Sequence, residues 1–145
     1  LIATSARYGA MFGGAEPAVV EALAAYGEIV GTAFQLSDDI LDIATESEES
    51  GKTPGTDLRE GVPTLPVLMA QASIDPADAR LLQLLAGDLT DDALLAETLT
   101  LLRAHPAMTE ARAYVVARAA EAKAPLEVLP QGSVRAALEF AMAQS

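Results

Sequence analysis

Residues 17–44 read PAVVEALAAYGEIVGTAFQLSDDILDIA, and this stretch decides the fold. It opens on Pro17, which suits the first turn of a helix because the N–H group that proline lacks has no partner there. No other proline occurs before Ala44, and apolar residues recur at helical spacing. The stretch therefore predicts one long α-helix from Pro17 to about Ala44.

Polar residues of this helix gather on one side. Placed at 100° per residue, they fill an arc of roughly a third of the circumference. The arc contains Glu28, Gly31, Thr32, Gln35, Asp38, Asp39 and Asp42. The apolar remainder is wide, so we expect the helix to pack on several sides.

The three aspartates are placed at a cost to the helix. Asp38 and Asp42 are like charges four residues apart, and both lie near the negative end of the helix dipole. No Lys or Arg stands between Arg7 and Lys52. An isolated acidic cluster is most often a solvated face, but a bound cation would turn these costs into stabilisation. All-oxygen ligation favours Mg²⁺, with Mn²⁺ possible, and an EF-hand is excluded because Ile43 stands where its glycine is required.

Residues 45–63 are rich in Gly and Pro and predict a loop. Lys52 lies within it, in Gly51-Lys52-Thr53, where a lysine could neutralise a phosphate as a point charge. This is not a Walker A motif, because no glycine-rich run and strand precede it.

The composition predicts an all-α chain, since Ala and Leu dominate and aromatic residues make up only 4%. We expect a first helix ending near Met11 at Gly13-Gly14. Further helices are predicted at residues 65–73, from 75, from 90 to 105, at 108–124 and from 133 to 142, with caps at Asp75, at Asp91-Asp92 and at Ser133. His105 is interpreted as a helix-end residue, and Arg112, Arg118 and Lys123 as a solvated face.

The net charge of −12 argues against nucleic acid and anionic membranes as partners. There is no cysteine, and one histidine is too few for a multi-histidine site. No apolar run approaches the ~18 residues of a membrane span, and no signal peptide opens the chain. We expect a cytoplasmic protein without a membrane span, and the initial Leu1 suggests a fragment.

Several short motifs succeed one another in an informative order. They are Tyr26-Gly27, Gly31, Ala33-Phe34-Gln35 and Asp38-Asp39-Ile40-Leu41-Asp42, then Gly51-Lys52, Gly55-Thr56-Asp57-Leu58-Arg59-Glu60-Gly61 and Thr64-Leu65-Pro66. This run resembles the second aspartate-rich motif of trans-prenyl diphosphate synthases together with the segment downstream of it in that family. The resemblance covers about forty residues.

The resemblance implies a helical bundle of the class I terpenoid (isoprenoid) synthase type, here incomplete. Residues 1–145 would be the C-terminal portion of a single all-helical polyprenyl synthase domain. The family condenses isopentenyl diphosphate with an allylic prenyl diphosphate and releases diphosphate. Mg²⁺ assists the departure of that diphosphate. Family members are typically homodimers.

Site roles are carried over from the family by position. Asp38, Asp39 and Asp42 would bind Mg²⁺, and Lys52 would contact the leaving diphosphate. The reacting allylic group would face Gln35 and Phe34, although Phe34 lies off the polar arc. Asp57 would bind substrate or support the metal ligands.

The chain also departs from the family pattern. A first aspartate-rich motif, its basic residues and a Lys-Thr pair are absent upstream, and Val62 stands where many members have Lys. We therefore expect the chain alone to be an incompetent catalyst. Two alternatives stay open: another class I terpenoid enzyme, such as a cyclase or head-to-head synthase, and a non-catalytic subunit that kept the motif.

Overall fold

The computed structural model describes residues 1–45 and 54–143, and every regular element in these ranges is helical. The all-α prediction is confirmed for this part of the chain. The helices are α1 (Ile2–Phe12), α2 (Pro17–Ala44), α3 (Thr56–Arg59), α4 (Leu65–Gln71), α5 (Ala79–Leu85), α6 (Asp92–Ala104), α7 (Pro106–Glu121) and α8 (Ser133–Ala143), with 3₁₀ turns at Pro76–Asp78 and Ala124–Val128.

Helix boundaries follow the sequence closely at α2 and less closely elsewhere. Helix α2 has the predicted limits, and α1 ends at Phe12 before Gly14, whose φ is 72°. The predicted helix at 108–124 is displaced, since α7 spans Pro106–Glu121. It can begin at Pro106 because proline is well tolerated in the first turn of a helix. Ser133 is the first residue of α8 and not its cap; the carbonyl of Gly132 accepts the N–H of Ala136.

The loop predicted at residues 45–63 is wrong in one respect. Residues 56–59 form the short helix α3, whose N-cap is Gly55 in the left-handed conformation, with φ 76°. Its first N–H groups bond to the side chain of Asp42, which is distant in sequence, so local turn composition cannot reveal the helix. Residues 46–53 lie outside the described ranges.

The chain divides into two compact units by its contacts. The first unit comprises Leu1–Gln35 and Val115–Ser145, and the second comprises Leu36–Tyr114. Helices α2 and α7 each contribute to both. The expectation of a single domain over residues 1–145 stays a prediction.

In the first unit, α1 packs closely on α2. A Cβ at Gly27 would stand 2.8 Å from the Cα of Ala3 and 3.1 Å from the Cβ of Ala6. Glycine is therefore required where the two backbones meet. Arg7 forms a two-point contact with Glu21, at 2.5 and 2.9 Å, across the same pair of helices.

In the second unit, α5 packs against α4 and α6. The buried leucines are Leu58, Leu81, Leu84, Leu89, Leu95, Leu99 and Leu102. Two predicted caps are confirmed: the carboxylate of Asp75 accepts the N–H of Ala77, and that of Asp91 accepts the N–H groups that begin α6. Within residues 1–45 and 54–143, no helix combines the length and the apolar character needed to cross a membrane.

Candidate metal centre

Three aspartates lie in the last turns of α2, within the second unit. Asp38, Asp39 and Asp42 are all partly exposed, while the neighbouring Ile40 and Ile43 are buried. The alternation follows from helical periodicity, because the apolar residues take the inward face. Asp38 and Asp39 both take part in polar or electrostatic interactions.

Asp42 joins α2 to α3. Its Oδ1 accepts the backbone N–H of Thr56 and its Oδ2 accepts that of Asp57, both at 3.2 Å. Its carbonyl oxygen accepts the N–H of Gly55 at 3.0 Å. The first N–H groups of a helix have no intrahelical partner, so Asp42 caps α3 from another helix.

Gly55 fits between α3 and α6. A Cβ there would lie 3.1 Å from Leu95 Cδ1, and 3.1 and 3.2 Å from the two δ-carbons of Leu99. Both the left-handed backbone and the close approach favour glycine at this position. At the other end of α3, Arg59 donates to the carbonyl of Thr90 at 3.0 Å and to Asp92 at 2.5 Å.

The Asp57 carboxyl group lies in an acidic and partly buried environment. Burial is the larger cause of the raised pKa of Asp57. The negative charges of Asp42, Asp39 and Asp38 raise it further, in that order. A divalent cation among these carboxyl groups would offset the repulsion.

The side chain of Arg103 reaches the end of α2, although sequence analysis gave it no role. Its Nε donates to the carbonyl of Ile43 at 2.7 Å, and its Nη2 donates to that of Thr45 at 2.5 Å. These carbonyls belong to the helix end that has no intrahelical donors and carries the negative dipole. Arg103 lies about sixty positions downstream, so no local pattern could have indicated it.

The donor set at this end of α2 suits a hard cation. Carboxylate oxygens are the ligands that Mg²⁺ and Mn²⁺ prefer, and Mg²⁺ commonly takes one or two of them together with water and phosphate oxygens. Within residues 1–45 and 54–143, no three acidic or histidine side chains already meet at coordinating distance. The aspartates alone therefore do not form a complete coordination shell, and a cation here would need further oxygen ligands.

The other predicted site residues are Gln35, Phe34, Lys52 and Asp57. Gln35 and Phe34 lie one turn before the aspartates along α2, in the first unit, and both are exposed, Phe34 at 65%. Gln35 takes part in a polar or electrostatic interaction. Lys52 lies outside the described residues. The structure thus brings Asp57 to the aspartates, and the roles of the other three stay predictions.

His105 has the helix-end position expected for it, with specific partners. Its Nδ1 accepts the N–H of Ala107 at 3.1 Å, so in the neutral ring Nε2 carries the hydrogen and donates it to Asp78, also at 3.1 Å. The Ser73 hydroxyl donates to the same carboxylate at 2.5 Å. A pocket of about 230 Å³ adjoins this cluster, lined by Leu81, Leu101 and Ala104 among others.

The part of the chain that the structure describes is helical, and an aspartate-rich motif ends its helix α2. The family model described as polyprenyl synthetase matches residues 1–102. The chain therefore belongs to the polyprenyl synthetase family.

Individual relatives carry more particular names. The nonaprenyl diphosphate synthase of Mycobacterium tuberculosis is 51% identical over 138 residues, which cover 95% of this chain and 41% of that protein. The octaprenyl diphosphate synthase of Escherichia coli is 35% identical over 95% of this chain and 43% of its own length. The chain thus spans about two fifths of the length of these relatives.

Solved structures share the fold. A geranylgeranyl pyrophosphate synthase from Corynebacterium glutamicum, crystallised with calcium and isoprenyl diphosphate, matches with a TM-score of 0.86 and 40% identity, covering 97% of this chain and 44% of that one. The heptaprenyl diphosphate synthase of Staphylococcus aureus matches with a TM-score of 0.86 and 25% identity, over 99% of this chain and 44% of its own. The chain has the all-helical fold of prenyl diphosphate synthases.

Proposed function

We propose that the chain carries the second Mg²⁺–diphosphate motif of a prenyltransferase that extends an allylic prenyl diphosphate with isopentenyl diphosphate. The observation that carries this proposal is the succession of Asp38, Asp39 and Asp42 in the last turns of α2, with Asp42 bonded to the first N–H groups of α3, in a member of the polyprenyl synthetase family. The names of the relatives support chain elongation as the reaction class.

Each residue has a chemical task in this proposal. Asp38, Asp39 and Asp42 hold the cation, and Asp42 also holds α3 beside them through its hydrogen bonds to Thr56 and Asp57. A bound divalent cation would stabilise the negative charge that develops on the departing diphosphate. Lys52 contributes a positive charge to the same diphosphate, and Gln35 and Phe34 face the allylic carbons. The Corynebacterium enzyme was crystallised with calcium and isoprenyl diphosphate, which supports a cation and a diphosphate as ligands.

We test the site by calorimetric titration of inorganic pyrophosphate into the chain, with Mg²⁺ and with EDTA. The expected result is binding that needs Mg²⁺ and is lost in Asp38→Ala. Glu28→Ala is the matched control, since it removes an exposed acidic side chain from the same helix, ten positions earlier. Binding that persists in EDTA or survives Asp38→Ala would contradict the assignment.

In a protein that joins this chain to a first aspartate-rich motif, incubation with substrates separates this function from a terpenoid cyclase. A prenyl synthase consumes isopentenyl diphosphate, whereas a terpenoid cyclase does not. A purely structural subunit would show no Mg²⁺-dependent binding of pyrophosphate. We propose further that the 145 residues alone do not complete the condensation, because they contain one motif of this kind. Turnover by the purified chain would contradict that part.

Homodimer formation and a cytoplasmic location complete the proposal. Both come from the family resemblance and the expectation formed on the sequence. Analytical ultracentrifugation of the purified chain tests the first, since a sedimentation coefficient of a monomer at micromolar concentration would contradict it.

A further inference from the structure

Helix α6 contacts both backbone segments that surround the aspartates. From its last turn, Arg103 donates to the carbonyls of Ile43 and Thr45 at the end of α2. Earlier in α6, Leu95 and Leu99 are the side chains that a Cβ added at Gly55 would meet, at 3.1 Å from each. One helix thus supports the end of α2 and the start of α3 together.

Arg103 makes two hydrogen bonds to backbone carbonyls at the end of α2. A guanidinium group presents its N–H donors in a rigid plane, so two carbonyls bound at once fix both position and direction. Ile43 and Thr45 lie just after Asp42, and Asp38 and Asp39 precede it by one turn on the same helix. Holding the last carbonyls therefore holds the turn from which the aspartates project.

We propose that Arg103 is a positioning residue for the metal-binding aspartates; this inference rests on the proposed function. Arg103 touches neither cation nor diphosphate in this account. It acts through the backbone of α2, keeping the carboxylates of Asp38 and Asp39 in the geometry that binds the cation. Groups that hydrogen-bond metal ligands directly typically contribute about 10–100-fold to metal affinity, and Arg103, which acts through the backbone, is expected at the lower end of that range.

Replacing Arg103 should change the affinity for Mn²⁺ in opposite directions, depending on whether the residue acts through its charge or by positioning the aspartates. Removing a positive charge near a cation site would by itself tighten the binding of Mn²⁺. Losing the support of the last turn of α2 would weaken it. The sign of the change in affinity therefore separates the two explanations.

The experiment is a titration with Mn²⁺, followed by the electron paramagnetic resonance of free Mn²⁺, at saturating inorganic pyrophosphate. It compares the wild-type chain with Arg103→Ala and Arg103→Lys. The matched control is Arg80→Ala, which removes the same charge from α5 in the same unit, where Arg80 forms a two-point contact with Glu97 at 2.7 and 2.6 Å.

We expect Mn²⁺ affinity to fall about tenfold in Arg103→Ala, and to stay unchanged in Arg80→Ala. Arg103→Lys should also be impaired, because an ammonium group lacks the planar pair of donors. Amide hydrogen exchange should quicken at Thr45 and Gly55, whose N–H groups bond to Leu41 and Asp42. If Arg103→Ala fails to fold, Arg103→Lys carries the test, since it keeps the charge and most of the volume.

Three results would overturn the proposal. Unchanged or tighter Mn²⁺ binding in Arg103→Ala would contradict positioning. Wild-type Mn²⁺ affinity in Arg103→Lys would show that the planar pair of donors to Ile43 and Thr45 does not position the aspartates. Wild-type protein that binds no Mn²⁺ with pyrophosphate would refute the proposed function and this inference with it, whereas wild-type binding with unaffected variants refutes the inference alone.

Discussion

The Oδ2 atom of Asp42 accepts the backbone N–H of Asp57 at 3.2 Å, although the residues are 15 positions apart. The contact gives the third aspartate of the cluster a structural task, because it completes the hydrogen bonding of α3. Burial, and then the negative charges of Asp42, Asp39 and Asp38, raise the pKa of the Asp57 carboxyl at this position. Asp42 therefore differs from Asp38 and Asp39 in what its loss should change.

Asp42→Ala should lower the free energy of unfolding by about 1–2 kcal/mol, because it leaves the first N–H groups of α3 without an acceptor. Asp42→Asn keeps one acceptor oxygen and should lose less. Denaturant titration measures both, with Glu28→Ala on the exposed face of α2 as control. An Asp42→Ala chain as stable as the control would show that the cap contributes nothing.

Gly55→Ala should be more destabilising than Gly61→Ala by about 1 kcal/mol. Both glycines have positive φ, 76° and 70°, so both substitutions carry backbone strain. Only at Gly55 would the new methyl group also meet leucine side chains, since nothing lies within 4 Å at Gly61. The difference in thermal stability between the two variants measures the packing contribution at Gly55. Equal losses of stability in both variants would show that the leucine contacts contribute nothing.

Gly27→Ala should cost about 1–3 kcal/mol, because its methyl group would stand 2.8 Å from the Cα of Ala3, a backbone atom that cannot turn away. Gly9→Ala is the control within α1, where nothing lies within 4 Å. That substitution should stabilise by about 0.5–1 kcal/mol through helix propensity. Denaturation midpoints that move in the same direction for both variants would contradict the close contact between α1 and α2.

The free energy of unfolding should fall at acid pH, in part because the Asp78 carboxylate becomes protonated. Hydrogen bonds from the Ser73 hydroxyl, and then from His105, lower the pKa of Asp78. A carboxyl group whose folded pKa is depressed stabilises the fold above its unfolded pKa, about 3.9, and loses that contribution as pH falls through the folded value.

Asp78→Asn should therefore flatten the decline of the unfolding temperature below about pH 4. Glu110→Gln, at an exposed position of α7, controls for the loss of one negative charge. Identical pH profiles for wild type and Asp78→Asn would show that the Ser73 and His105 contacts do not bind the carboxylate more tightly when it is ionised.

Local features of the fold were predictable from the sequence. Helix α2 was located by its period and by Pro17, and the caps at Asp75 and Asp91 by residue type alone. Each depends on neighbours within a few positions. Helix α3 was missed because its cap, Asp42, belongs to a different helix.

Hydrogen-bond partners that are distant in sequence weaken one argument for a bound cation at the end of α2. No basic residue near in sequence offsets the aspartates at the end of α2, but Arg103 binds the last carbonyls and two N–H groups bind Asp42. These partners lie 14 to 60 positions away. They satisfy hydrogen-bonding groups of Asp42 and of the end of α2 without a metal ion, and the roles of Asp38, Asp39 and Asp42 as metal ligands stay predictions.

The most direct test of the central claim is a crystal structure of the chain grown with Mn²⁺ and inorganic pyrophosphate, with data collected for the anomalous signal of manganese. The account predicts an anomalous peak within bonding distance of carboxylate oxygens of Asp38 and Asp39, with pyrophosphate oxygens on its other side. A peak elsewhere, or pyrophosphate bound away from the end of α2 with no metal at these aspartates, would contradict it.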